Sequence, residues 1–271
     1  MSGEGPTALE PTETAERLVV LGASNVAFGL PTIVTAAREL AGGPIEMFMT
    51  AAHGRSYGLA SNVMGRRIVS IRDCGLWNAL DALAPASQTN ALVTDVGNDL
   101  LYGVAPARVA DWVAECVDRL VARGARVRVV GLPLHSIEGV GRRRFAFFQK
   151  IFFPFSRLRF DDARALSREL DERLQALCHE RSLAFVAPPR AWYGWDPIHV
   201  RRARRAVAWN AILRASEVDE REIPREKTRL RAGERFALRR ASHEERRVFG
   251  ALKRAKQPCA RLNDGSTLSL F

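Results

Sequence analysis

The chain repeats one pattern five times: a short apolar run, a loop, then a segment of helical periodicity. The runs are RLVVLGA (17–23), IEMFMT (45–50), NALVTDVG (90–97), RVRVVGLP (126–133) and LAFVAP (183–188). Between and after them, PTIVTAAREL (31–40), GLWNALDALA (75–84), ARVADWVAECVDRLVARG (107–124), DDARALSRELDERLQALCHE (161–180) and RARRAVAWNAILRA (202–215) read as helices. Pro31 is placed in the first turn of its helix, where a missing N–H costs nothing. A strand followed by a covering helix, five times over, predicts a parallel sheet of about five strands with helices on both faces. Ligands of such open sheets sit beyond the carboxyl ends of the strands. The loops to search are therefore 22–25, 51–58, 97–103, 131–136 and 192–199.

Four of these five loops hold a chemically useful group. GASN (22–25) puts Ser24 at the tip of a buried strand, where Gly, Ser and Asn also make an ordinary turn. His199 follows Asp196 by three residues, so one short turn brings a carboxylate to an imidazole that must act as a base. Asn98 follows a glycine after the third run, and its amide is a candidate donor to a developing oxyanion. Gly54 and Gly58 follow the second run, and a backbone without Cβ allows close approach by a substrate.

Taken together, these blocks resemble the SGNH hydrolases, also called GDSL esterases and lipases, over about residues 17–215. Ser24 in LGASN matches the nucleophile block. Gly58 in HGRSYG best matches the glycine of the second block, with Gly54 the other choice. Asn98 in VGND matches the asparagine block, and DPIH matches the Asp-x-x-His block through Asp196 and His199. The resemblance implies a flavodoxin-like three-layer α/β/α sandwich and hydrolysis of carboxylic esters, with no metal and no dissociable cofactor. It implies Ser24, His199 and Asp196 as the catalytic residues and Gly58 or Gly54 with Asn98 as the oxyanion donors. The chain departs from the family pattern at Ala23, where an acidic residue is usual, and at Val96, where the third block usually has a glycine. The other classes compatible with these blocks are a catalytically degenerate module that binds an anionic surface or a protein, and an acyltransferase or deacetylase acting on a carbohydrate.

RRRFAFFQKIFFPFSRLRF (142–160) carries seven of the 13 phenylalanines, interleaved with basic residues. A connection of this length usually covers or binds something, or has structure of its own, such as a helix facing the core. Phe147, Phe148, Phe152 and Phe153 are its candidate acyl-binding residues, with interfacial membrane contact as the alternative role. The expected substrate is a small-molecule or lipid-like ester.

Charge divides the chain. The net +11 is concentrated in residues 200–271, with 19 Lys and Arg against nine Asp and Glu, while residues 1–199 are nearly neutral. That distribution argues against a nucleic-acid-binding body and for an appended basic segment that contacts anionic surfaces. The expected organisation is a flexible N-terminus (1–16), a hydrolase-like domain (17–216) and a basic C-terminal extension (217–271). The extension ends in a hairpin turning at Asn263-Asp264-Gly265, a strand pair that could add to a sheet edge or dock on a partner. Four widely spaced cysteines without a CxxC pair are expected to be reduced packing residues. With no apolar leader and no run of transmembrane length in the sequence, a cytoplasmic location is the expectation.

Overall fold

The computed structural model describes residues 16–63, 65–152, 156, 158–214, 230–248 and 250–271. In chain order the first half holds β1 (Glu16–Leu21), α1 (Ser24–Ala41), β2 (Ile45–Met49), β3 (Ser61–Val63), β4 (Arg66–Ile68), α2 (Leu76–Asp81), β5 (Thr89–Val93), α3 (Asn98–Leu101), α4 (Pro106–Val121) and β6 (Arg126–Val130). The second half holds α5 (Leu134–Glu138), α6 (Arg142–Phe152), α7 (Phe160–Glu180), β7 (Ala184–Val186), α8 (Arg205–Arg214), α9 (Ala232–Arg240), β8 (Glu245–Val248), β9 (Ala251–Arg254), β10 (Ala260–Arg261) and β11 (Thr267–Leu270).

The main sheet runs in the order β10-β11-β2-β1-β5-β6-β7. All neighbours are parallel except the β10–β11 hairpin. The five strands of the sequence pattern therefore form the expected parallel core, in the order 2-1-5-6-7. From β1 the chain goes first to one side of the sheet and then, at β5, to the other. The crevice between the ends of β1 and β5 is thus the switch point at which such sheets bind ligands.

Alternation along the buried strands sorts side chains to two faces. Leu18 and Val20 of β1, Met47 and Met49 of β2, Leu92 and Val130 pack with α1 and α8. Val19, Leu21, Phe48, Ala91, Val93, Val127 and Val129 pack with Val113, Cys116 and Val117 of α4 and Leu170 and Leu174 of α7. Buried in this way, the Cys116 thiol is pushed up to about 12, and all four cysteines are free.

Three expectations change. Helix α1 starts at Ser24, seven residues before Pro31, which lies inside it. Its start carries no local cap; the cap is a carboxylate from another loop, described below. The C-terminal hairpin does turn at Gly265 (φ +90°), yet it is no appendage. Strand β11 pairs with β2, Leu268 opposite Met47, and Leu268 and Leu270 are buried. Helix α9 joins the same layer through Leu238, and Arg38 of α1 reaches Asp264 at 2.5 Å and Glu234 at 3.5 Å. An uncovered β2 would leave a bare edge of N–H and C=O groups, which explains why the chain returns to it. The described part of the basic segment is thus built into the sheet rather than hung from it.

The third change is a second, four-stranded antiparallel sheet in the order β3-β4-β8-β9. Half of it comes from the loop after β2 and half from residues 245–254, so no local pattern announces it.

Candidate active site

Ser24 is the first residue of α1, three residues beyond Leu21 at the end of β1. The turn needs Gly22, because a Cβ there would lie 2.4 Å from Val26 Cγ2 and 2.8 Å from Thr94 Cγ2. Thr50 after β2 fastens the turn: its hydroxyl accepts from Gly22 N at 2.9 Å and donates to Gly22 O at 3.0 Å. The buried Tyr57 hydroxyl lies 2.8 Å from Thr94 O and 3.2 Å from Leu21 O. The ends of β1 and β5 are thereby braced from below.

Asp95, just past β5, holds the turn from the other side. Its Oδ2 accepts Ala23 N at 2.8 Å and Asn25 N at 3.0 Å. This is helix capping by a carboxylate from another strand. The Ser24 N–H, between those two, has no acceptor among the described residues. Asp95 itself has φ +59°, a conformation Asp tolerates better than most residues.

His199 is 8% exposed and meets Ser24 directly: Nε2 is 2.9 Å from Oγ. Its Nδ1 is 2.6 Å from Asp196 Oδ2. Asp196 Oδ1 accepts the backbone N–H of Ile198 at 3.0 Å and of His199 at 3.1 Å. Burial raises the Asp196 carboxyl, but the His199 contact and these N–H groups outweigh it and hold it below its usual value. Phe28 packs edge-on against His199 with centroids 5.1 Å apart, and against His53 at 4.7 Å. Burial, the neighbouring His199 and Arg66 push the His53 imidazole down, against a smaller opposing pull from Asp95.

Asn25 connects the two halves of this arrangement. Its Nδ2 donates to Asp95 Oδ1 at 2.7 Å and to Ile198 O at 2.9 Å, while its Oδ1 accepts Val200 N at 2.9 Å. In the sequence Asn25 has the look of a turn residue only, and nothing singles out Asp95. The N in GASN was a visible polar group beside the serine, but no local signal in VTDVGND marks Asp95.

Asn98, the first residue of α3, lines the same cavity as Ser24. One amide hydrogen is used on Arg55 O at 3.0 Å, which leaves the other available. The two glycines differ sharply. Gly58 N donates to Ser56 Oγ at 3.1 Å, and a Cβ on Gly58 would sit 2.1 Å from Trp112 Cδ2. Its place is under a tryptophan. Gly54 has φ +67°; its carbonyl accepts from Tyr102 OH, and its N–H has no acceptor among the described residues. It sits between His53, on Phe28, and Arg55, on Asn98.

The cavity beside Ser24 has a volume of about 140 Å³ and largely apolar walls, including Leu132, Ile137, Val140, Phe145, Phe148 and Phe160. Of the four expected phenylalanines, Phe148 lines it. Phe147 does not: it is 46% exposed and lies against Phe148 and Trp195. The Phe152 side chain and Phe153 lie outside the described residues. Phe145 and Phe160, which were not among the expected acyl-binding residues, line it as well. Among the described residues no helix is long and apolar enough to cross a membrane.

No family model and no curated protein matches the chain. Solved structures do. One matches with a TM-score of 0.51 at 13% identity, covering 74% of this chain and 96% of the other. The lipolytic protein of the G-D-S-L family from Veillonella parvula matches with 0.46 at 12%, covering 73% and 97%. The psychrotrophic esterase EstA from Pseudoalteromonas sp. matches with 0.45 at 11%, covering 74% and 95%. The structural neighbours thus include GDSL and SGNH hydrolases, at identities that speak for the fold alone.

Proposed function

We propose that the protein is a serine esterase that cleaves carboxylic esters through an acyl-enzyme. The observation that carries this reading is the unbroken chain from Ser24 Oγ to His199 Nε2 at 2.9 Å and from His199 Nδ1 to Asp196 Oδ2 at 2.6 Å. His199 takes the Ser24 proton as Oγ attacks the ester carbonyl, and Asp196 fixes the imidazole tautomer and stabilises its cation. The resulting oxyanion is met by the Ser24 N–H at the start of α1, the free amide hydrogen of Asn98 and the N–H of Gly54. One such donor is typically worth about 10²–10³ in kcat. Gly54 takes the role in preference to Gly58, whose N–H is already used. The imidazolium then protonates the leaving alcohol. Water, deprotonated by His199, attacks the acyl-enzyme and releases the acid. The apolar cavity takes the acyl group.

The test is labelling by a fluorophosphonate probe together with turnover of p-nitrophenyl esters. Both are expected of the wild type and neither of a folded Ser24→Ala variant. Labelling or turnover that survives in Ser24→Ala overturns the assignment.

A further inference from the structure

The wall of the cavity formed by α7 is not uniformly apolar. Phe160, Ala163, Arg164 and Ser167 all line it, the spacing of one helix face. Arg164 Nε is buried and has no hydrogen-bond partner. Ser167 is 7% exposed, and its hydroxyl makes no hydrogen bond among the described residues. The neighbouring Glu138 feels the charge of Arg164, but its carboxylate bonds Arg168, at 2.6 Å. Arg164 has no ion-pair partner among the described residues, and its guanidinium lies 5.7 Å from the Phe160 ring centre. Gln149, also on the wall, donates to Leu158 O at 2.7 Å. Arg164 is half-buried, and its Nε is a buried donor without an acceptor beside an apolar cavity, which costs free energy unless a ligand meets it.

We propose that the acyl group this cavity accepts ends in a carboxylate, so that the substrates are half-esters of dicarboxylic acids. The inference rests on the esterase reading above. Arg164 and Ser167 offer a charged N–H donor and an O–H donor, which suits the two oxygens of one carboxylate. The apolar walls take the methylenes between. A cavity of about 150 Å³ holds a six-carbon ligand, so the matching acyl chain has about six carbons. The chemistry is unchanged: water cleaves the acyl C–O bond and yields the dicarboxylate and the alcohol.

Two measurements test it. The first compares kcat/KM for methylumbelliferyl half-esters of succinate, adipate and suberate with methyl-terminated esters of equal length. The wild type is expected to favour the adipate half-ester over hexanoate at least ten-fold, and Arg164→Met to reverse that preference. A wild type that prefers hexanoate, or a ratio that Arg164→Met leaves unmoved, overturns the proposal. The second measurement needs no turnover. Adipate, and not hexanoate, should raise the melting temperature of Ser24→Ala, and Arg164→Met in that background should erase the shift. Equal shifts for the two acids overturn the proposal. Arg164→Lys, which keeps the charge, covers the case in which Arg164→Met does not fold, and it should retain part of the adipate shift. If adipate binds through Arg164 but the wild type hydrolyses no ester, the carboxylate site stands and the esterase reading fails.

Discussion

The side-chain amide of Asn25 donates to Oδ1 of Asp95 at 2.7 Å, and through that bond the loop after β1 is tied to the loop after β5. The same amide group holds Ile198 O and Val200 N, the residues on either side of His199. One asparagine therefore sets the serine turn, its cap and the histidine loop relative to one another. Replacing it leaves several polar groups without partners, at about 1–3 kcal/mol for a buried one. Asn25→Ala is expected to lower kcat for a p-nitrophenyl ester about ten-fold or more while KM moves little, with a lower melting temperature. A kcat equal to wild type would mean the His199 loop is held by its other contacts.

The two glycines of the loop after β2 should separate in their readouts. Gly58→Ala drives a methyl group into Trp112, an overpacking that typically costs about 1–3 kcal/mol; it should appear as a lower melting temperature. Gly54→Ala meets a strained φ of +67° and Val63 Cγ2 at 2.9 Å, at the proposed oxyanion donor. Its main effect is expected on kcat. A reversed pattern would return the oxyanion role to Gly58.

Stability should fall on mild acidification. His243 bonds Ala51 O through Nε2 and joins the second sheet to the end of β2. Burial, and the cations Arg55, Arg246 and Arg66, hold its imidazole below the ordinary value against the opposing bond to Ala51. The unfolded chain therefore takes up the proton first as the pH drops below about 6.5, and stability declines through that range. His53 is displaced in the same direction and adds to the decline. Thermal melts between pH 7.5 and 5.5 are expected to show it. His243→Gln, which keeps a donor for Ala51 without titrating, should flatten it; an unchanged slope would place the acid sensitivity elsewhere.

The C-terminal hairpin is expected to be indispensable. Leu268 is fully buried against β2, and truncating such a leucine costs about 2–5 kcal/mol. Leu268→Ala should lower the denaturant midpoint accordingly, and deletion from Glu217 onward should abolish soluble expression rather than merely weaken binding to anionic surfaces. A soluble, folded deletion variant would show that the sheet stands without its last two strands.

The five strands of the parallel core, and the expectation of a site at their carboxyl ends, were legible in the sequence because both rest on local pattern. Alternation of apolar runs with helical periodicity predicts the layers, and layers of that kind place their loops at one end of the sheet. Asp196 and His199 were legible for the same reason, being three residues apart on one turn. Other features depend on residues far apart in the chain. Asp95 caps a helix that begins 71 residues earlier, which no window around Ser24 can reveal, so the helix was expected only at Pro31. The sequence favours Gly58 over Gly54, and the order is reversed by Trp112, on a different helix, which packs over Gly58. The hairpin was readable as a hairpin, but its place beside β2 depended on which sheet edge needed covering. Nothing in the helical pattern of 161–180 distinguishes Arg164 and Ser167; the packing of α7 places them on the cavity that Ser24 also lines. Local interactions choose the elements; contacts between distant segments choose their caps, their edges and the chemistry of the pocket between them.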